Sequence, residues 1–108
     1  MVRRVANTDV TPVEMIPGLF RRTLAEGARA MLCEFTAAEG VFIPLHSHPH
    51  EQVGYVIEGR VAFVCGDETF IAEPGYSYAI PGGAPHSARF LAPTKLVEIF
   101  SPPREEYR

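Results

Sequence analysis

The chain has 108 residues, close to the size of one ordinary domain, so the sequence predicts a single domain over residues 1–108. Its formal net charge is −3, and acidic and basic residues are mixed along the chain, which disfavours nucleic-acid binding. The apolar runs are short and interrupted by Gly, Pro or charge, so no segment is expected to span a membrane, and the arginines near the amino terminus are not followed by the apolar stretch of a secretion signal. We therefore expect a cytoplasmic protein whose partners include neither nucleic acid nor a membrane.

Short segments rich in Val, Ile, Phe and Tyr recur between Gly and Pro residues, whereas helical periodicity is scarce. Residues 1–12 precede these segments and are polar enough to form an amino-terminal arm. The predicted strands are, in chain order, 20–25, 28–36, 52–57, 61–65, 68–72, 77–80, 87–91 and 95–100. The predicted turns are 26–27, 58–59, 66–67, 74–75 and 81–83, where Gly accepts positive φ and Pro cannot extend a ladder. Many short strands at this spacing predict an all-β sandwich or closed barrel.

The two cysteines, Cys33 and Cys65, stand far apart and lack the spacing of a metal site. Both fall in apolar segments that are predicted to be strands. Free cysteine in such a setting usually behaves as a small buried apolar residue. We expect two buried, reduced thiols.

Histidine is concentrated at one point of the chain. Three of the four histidines lie within five residues, and the fourth is His86. In an extended chain alternate side chains share a face, so His46 and His48 are expected to project together. Pro49 lacks an amide hydrogen and restricts the residue before it, so a kink is expected to turn His50 away from the pair, as a rim or supporting residue. The HxH pair and the distant histidine after a Pro-Gly-Gly turn predict a metal site.

Two stretches of the chain resemble the two motifs of the cupin family. The first motif, G-x5-HxH-x3,4-E-x6-G, is matched by Gly40, His46, His48, Gln52 and Gly59, and the second, G-x5-PxG-x2-H-x3-N, by Gly75, Pro81, Gly83, His86 and Phe90. Gln52 stands where the motif has glutamate, and Phe90 where it has asparagine. The resemblance implies an all-β cupin fold, a double-stranded β-helix or jelly-roll barrel. It also implies one divalent metal ion (Ni, Fe, Co, Mn or Zn), held by His46, His48, Gln52 and His86.

The implied ligand set is neutral. Three imidazoles and an amide oxygen leave the charge of a divalent ion uncompensated, so the site is expected to favour an anionic ligand. The set departs from the two-histidine, one-carboxylate pattern that is typical of iron oxygenases, and this favours Lewis-acid chemistry on a carboxylate or hydroxyl. A small anionic substrate is the expected partner.

The carboxyl-terminal segment adds a second constellation. Period-two alternation places Glu98 and Phe100 on one face of the last strand, with Glu98 inside the barrel if Val97 and Ile99 pack outside. Within the cupins, the chain resembles the KdgF pectin-degradation group in this segment and in its HSHPHEQ segment. The resemblance assigns the group's catalytic acid, aromatic and arginine to Glu98, Phe100 and Arg104, although the group typically has aspartate at the first position. It implies an enzyme that linearises 4,5-unsaturated uronates from pectin or alginate breakdown to the keto-aldehyde sugar acid.

Two other functions fit the same fold. One is a metal-dependent dioxygenase, which would contain iron and consume oxygen, and the other is a non-catalytic cupin that binds a small anion. A homodimer is expected, since small cupins commonly pair.

The remaining aromatic side chains are predicted to form barrel core or rim: Tyr55, Tyr76, Tyr78, Phe63 and Phe90.

Overall fold

The computed structural model describes residues 1–108, which form ten strands and no α-helix. The strands are β1 (Val13–Ile16), β2 (Leu19–Glu26), β3 (Met31–Ala37), β4 (Phe42–His46), β5 (Glu51–Glu58), β6 (Val61–Cys65), β7 (Glu68–Ala72), β8 (Ser77–Ile80), β9 (His86–Phe90) and β10 (Thr94–Ser101). Two short 3-10 turns, Asn7–Asp9 and Glu105–Tyr107, lie near the two ends. No helix has the length and apolar character needed to cross a membrane.

The strands form two antiparallel sheets that pack as a jelly roll, which confirms the predicted fold class. One sheet has the order β1-β2-β3-β10-β5-β8 and the other the order β4-β9-β6-β7. Burial alternates along the central strands: in β5, Gln52, Gly54 and Val56 face the interior, while Val53 and Tyr55 face outward. The inward residues of both sheets meet in a hydrophobic core of 15 buried residues. Strand alternation therefore decides which side chains reach the interior.

All eight predicted strands are present, but two further strands were not predicted. β6, β7 and β8 have the predicted bounds, and β3 begins three residues later than expected, at Met31. The missed strands, β1 and β4, both lie at sheet edges. β4 contains Pro44, and Pro within a run argues against a central strand because it cannot donate to the ladder, whereas an edge position tolerates it.

Burial divides the cysteines and the aromatic residues into two groups. Both cysteines are free thiols, but only Cys33 is buried, so the prediction for Cys65, which is half-buried, was wrong. Tyr78 is buried with Phe63 and Phe90 in the core. Tyr55 and Tyr76 are exposed on the outside. The sequence predicted all five of these aromatic residues as core or rim and did not indicate which of them would be buried and which exposed.

The amino-terminal residues run beside β2. The Arg22 Nε donates a hydrogen bond to the carbonyl oxygen of Val10 at 3.0 Å, and Arg3 Nη1 donates to the carbonyl oxygen of Glu26 at 3.2 Å. Arg22 also approaches Glu34 on the outer face of the sheet at 3.6 Å. These contacts hold the predicted arm against the six-stranded sheet.

Candidate metal centre and adjoining cavity

Two of the four candidate ligands face each other across one strand pair. β4 and β9 are antiparallel neighbours, and His46 on β4 is the register partner of His86 on β9. Their ring centroids are 4.3 Å apart. Opposed positions of a strand pair have close Cβ atoms, so this register brings together two histidines that lie forty residues apart in the chain.

The third histidine comes from the loop after β4. His48 lies in this loop, and its backbone oxygen accepts a hydrogen bond from the Gly83 N–H at 2.7 Å. Gly82 packs so closely that a Cβ there would overlap the carbonyl oxygen of Pro49. The Pro-Gly-Gly turn is thus docked on the histidine loop, and His48 and His86 reach a centroid separation of 5.1 Å.

All three rings are held in the same way by backbone oxygens. Nδ1 of His46 meets the Pro44 oxygen at 2.9 Å, and Nδ1 of His86 meets the Ala84 oxygen at 2.8 Å. Nδ1 of His48 meets the His50 oxygen at 3.1 Å. A carbonyl oxygen only accepts, so each Nδ1 carries the proton and each Nε2 keeps a free lone pair. The ligand nitrogens of the three histidines lie within 4.8 Å of one another.

Gln52 supplies a fourth donor from the other sheet. Its Oε1 lies 3.1 Å from Nε2 of His48, and both atoms then carry lone pairs. Two lone pairs at that separation repel each other unless a cation lies between them. Ligands at right angles on an ion with bonds of about 2.1 Å stand about 3.0 Å apart, which matches this separation.

A second observation also fits a cation. Nε2 of His86 is buried and has no hydrogen-bond partner. Burial also lowers the pKa of His48 to about 4 and lowers the pKa of His86, so both rings are neutral near pH 7, the form that binds a metal. The four residues predicted as ligands are therefore brought together, and their donors fit a divalent ion.

Glu98 lies one hydrogen bond away from this cluster. Period-two alternation along β10 turns it into the interior, as predicted, and the side chain is 7% exposed. Its Oε2 accepts hydrogen bonds from Gln52 Nε2 at 2.5 Å and from the Tyr78 hydroxyl at 2.6 Å. Burial raises the pKa of Glu98, and the two hydrogen bonds oppose that rise. A carboxyl group in such an environment is suited to exchange a proton with a substrate.

A cavity of about 180 Å³ adjoins the cluster. His46, Gln52, His86, Glu98, Phe100 and Arg104 all line it, and 11 of the 17 lining residues are hydrophobic. The structure therefore brings the predicted acid, aromatic and arginine to the same cavity as three of the candidate ligands. His48 is not among the lining residues.

Arg104 is placed by stacking and by an ion pair. Its guanidinium carbon lies 5.0 Å from the Phe100 ring centroid and 4.1 Å from that of Tyr107. Its Nε donates to Glu106 Oε1 at 2.6 Å. The remaining N–H groups make no hydrogen bond within the chain, so they are available to an anion in the cavity.

His50 stands outside the ligand group, as expected from the kink at Pro49. Its ring is half-buried with its centroid 5.5 Å from that of His48, and it is absent from the group of three close histidines. Its backbone oxygen orients His48. His50 therefore supports the cluster through its main chain.

Three residues that shape the site received no role from the sequence. Tyr78 was assigned to core or rim, yet it donates to Glu98, and Tyr107 stacks on Arg104. Gly54 faces the interior between Glu98 and Tyr78. The alternation within β8 and β5 could have shown that Tyr78 and Gly54 face inward, but their proximity to Glu98 depends on the pairing of three strands.

Comparison with known proteins agrees with the fold described above. A family model described as a cupin domain matches residues 33–100. The fold is similar to the structure of KdgF from Halomonas sp., with 24% identity, 100% of both chains covered and a TM-score of 0.94. It is also similar to an RmlC-like cupin from Shewanella frigidimarina, with 24% identity, coverage of 100% of this chain and 97% of the other, and a TM-score of 0.92.

A further similar structure is the polyketide cyclase RemF from Streptomyces resistomycificus. Its identity to this chain is 28%, the match covers 97% of this chain and 82% of the other, and the TM-score is 0.79. No curated protein sequence is a significant match.

Proposed function

The chain belongs to the cupin family, and from that premise we propose that it is a metal-dependent enzyme in which Glu98 moves a proton on a small carboxylate-bearing substrate. The observation that carries the proposal is that Glu98, Arg104 and two of the clustered histidines, His46 and His86, line the same cavity. A divalent ion bound by the cluster would supply Lewis-acid polarisation of a substrate oxygen. The residues of the chain supply the rest of the chemistry.

Each residue of the carboxyl-terminal constellation has a distinct task. The Arg104 guanidinium binds the substrate carboxylate through its free N–H groups and fixes its orientation. Phe100, which is 1% exposed, offers an apolar surface beneath the bound molecule. Glu98 accepts a proton from one substrate atom and returns it to another. Burial raises the pKa of that carboxyl, and the hydrogen bonds from Tyr78 and Gln52 oppose the rise.

The reaction that we propose is the linearisation of 4,5-unsaturated uronates. The anomeric hydroxyl loses its proton to Glu98, the bond from C1 to the ring oxygen breaks, and C1 becomes the aldehyde. The electron pair of the broken bond stays on the ring oxygen, which leaves an enolate across C4 and C5. Glu98 then delivers to C4 the proton that it took from the anomeric hydroxyl, and the enolate becomes the ketone at C5. The product is the keto-aldehyde isomer, so the step needs neither oxidant nor co-reactant.

A second candidate is favoured by the apolar lining of the cavity, where 11 of 17 residues are hydrophobic. Such a wall suits a substrate with an apolar body. RemF, to which the chain is similar, is named as a polyketide cyclase, and a polyketide is a substrate of this kind. The elementary step would again be removal of a proton by Glu98, here from carbon beside a carbonyl group. The two candidates differ in the body of the substrate and share the residues that act on it.

Ultraviolet absorbance of an unsaturated uronate tests the proposed function, because its conjugated enol ether is lost on linearisation. We expect decay above the spontaneous rate with metal-loaded protein, and loss of that decay in Glu98→Gln with its metal content unchanged. Glu58→Gln removes an exposed carboxylate on the same sheet and serves as the matched control.

Other measurements identify the two alternative functions. Oxygen uptake with iron in the purified protein would identify a dioxygenase. Anion binding of equal affinity in wild type and Glu98→Gln, with no turnover, would identify a non-catalytic binding module. The homodimer and the cytoplasmic location stay predictions, and sedimentation of the 11.9 kDa chain at micromolar concentration tests the first.

A further inference from the structure

Glu98, Gly54 and Tyr78 form one row across three neighbouring strands. Glu98 on β10 is the register partner of Gly54 on β5, and Gly54 is in turn the partner of Tyr78 on β8. The three residues face the interior, and Tyr78 is 8% exposed. Neighbouring strands lie about 4.8 Å apart, so Glu98 and Tyr78 start roughly 10 Å apart at their backbones. The tyrosine side chain must therefore cross β5 to reach the carboxylate.

Gly54 leaves the space through which the Tyr78 side chain crosses β5. A Cβ at this position would overlap the Tyr78 hydroxyl and the adjoining ring carbon, and it would lie 2.6 Å from Cε2. The backbone at Gly54 does not have the positive φ that would by itself require glycine. Glycine weakens a strand interior, because it adds backbone entropy and lacks a side chain to pack. The close approach of the tyrosine is thus the steric reason for glycine at this point of a central strand.

Tyr78 and Gln52 both act on the same oxygen of Glu98. The tyrosine hydroxyl donates to Oε2 at 2.6 Å and the amide donates to it at 2.5 Å. Oε1 receives neither hydrogen bond, while Glu98 lines the cavity. Two donors from different strands fix the rotation of the carboxylate about its last bond, so one oxygen is held and the other is left for the substrate.

We propose that Tyr78 is a positioning residue for Glu98: its side chain passes over Gly54, and its hydroxyl holds Oε2 so that Oε1 is directed at the substrate. This inference rests on the proposed role of Glu98 as the group that moves the proton. Tyr78 does not touch the substrate, and its contribution is to the geometry of the carboxylate.

The substitution Tyr78→Phe tests this role, since it removes the hydroxyl and keeps the ring against Phe63, where the centroids are 4.6 Å apart. We expect kcat to fall about 10- to 100-fold with KM and metal content unchanged, because small displacements of a catalytic group cost rates of this order. Tyr55→Phe, which removes an exposed hydroxyl from β5, should leave kcat unchanged. An unchanged kcat in Tyr78→Phe, or a loss that follows a loss of metal, would overturn the proposal.

Gly54→Ala gives a second test through the same contact. It should lower kcat at least as much as Tyr78→Phe, and the double variant should lose no more than the larger single effect, because both changes remove one hydrogen bond. Losses that add in full would show that the two residues act separately and would overturn the proposal.

Crystal structures of metal-loaded wild type and Tyr78→Phe separate this inference from the proposed function. We expect the Glu98 carboxylate to rotate or to occupy two orientations in the variant. This result, together with absence of turnover in the wild type, would reject the proposed function and keep the positioning role. A carboxylate that stays in place in the variant would overturn the positioning role whatever the reaction.

Discussion

Gln52 donates a hydrogen bond from Nε2 to Oε2 of Glu98 at 2.5 Å, so the side-chain amide of a candidate metal ligand directly contacts the candidate acid. An amide has both a donor and an acceptor, and it can present Oε1 to the histidines and Nε2 to a carboxylate. A glutamate at position 52 would offer acceptors to both sides when ionised. The relationship gives a physical reason for glutamine where the cupin motif has glutamate.

Gln52→Glu should separate metal binding from turnover. The change would put two carboxylates in contact, and like charges at such a distance keep a proton on one of them. We expect the metal to stay bound and the rate to fall by about 10- to 1,000-fold, because Glu98 would no longer exchange its proton freely. Elemental analysis and initial rates measure the two effects. An unchanged rate in the metal-loaded variant would show that the glutamine donor is not needed.

His86→Ala should remove metal binding, and His50→Ala should preserve it. The first change deletes a member of the group of three close histidines, whereas the His50 side chain stands outside that group. We expect the metal affinity of His86→Ala to fall by more than about 100-fold. Adding metal at 100 times its dissociation constant should stabilise the wild type by about 2.7 kcal/mol, and thermal unfolding with and without metal measures the difference. Equal metal-induced shifts in both variants would contradict the assigned ligand set.

The stability of the metal-free protein should depend on pH through His48. Its pKa is lowered by burial to about 4, from an ordinary value of 6.5. Between these two values the unfolded chain binds more protons than the folded chain, so the free energy of unfolding rises with pH. The stability that neutral His48 contributes is therefore lost as the pH falls from about 6.5 to about 4. Urea unfolding with a chelator present, at several pH values, measures this dependence. His48→Gln should show a flatter curve, and the same slope in both proteins would refute the assignment.

Gly59→Ala should destabilise the fold more than Gly66→Ala. Both glycines have positive φ, +96° and +60°, so both substitutions strain the backbone. At Gly59 a Cβ would also overlap the Pro93 oxygen and Thr94, while at Gly66 nothing lies within 4 Å. We expect a loss of about 2–4 kcal/mol at Gly59 and about 1 kcal/mol at Gly66. Denaturant unfolding measures both losses, and equal values would show that the close approach at Gly59 relaxes freely.

The predicted strands are those whose own residues, together with the flanking Gly and Pro, are typical of a strand wherever it lies in a sheet. β6, β7 and β8 are short, apolar and bounded by Gly or Pro, and their bounds were predicted correctly. β4 was missed because Pro44 argues against a strand, and only the position of β4 at a sheet edge makes that proline acceptable. A residue pattern does not state which strand will be at an edge. That information comes from the pairing of all the strands.

Period-two alternation is a property of a single segment, so it was enough to predict that Glu98 faces the interior if Val97 and Ile99 pack outside. The set of candidate ligands, His46, His48, Gln52 and His86, came instead from the resemblance to the two cupin motifs. The register that sets His46 opposite His86, and the path of Tyr78 over Gly54 to Glu98, were decided only by the tertiary structure. These contacts join strands that are distant in the chain, and the packing of two whole sheets fixes their register.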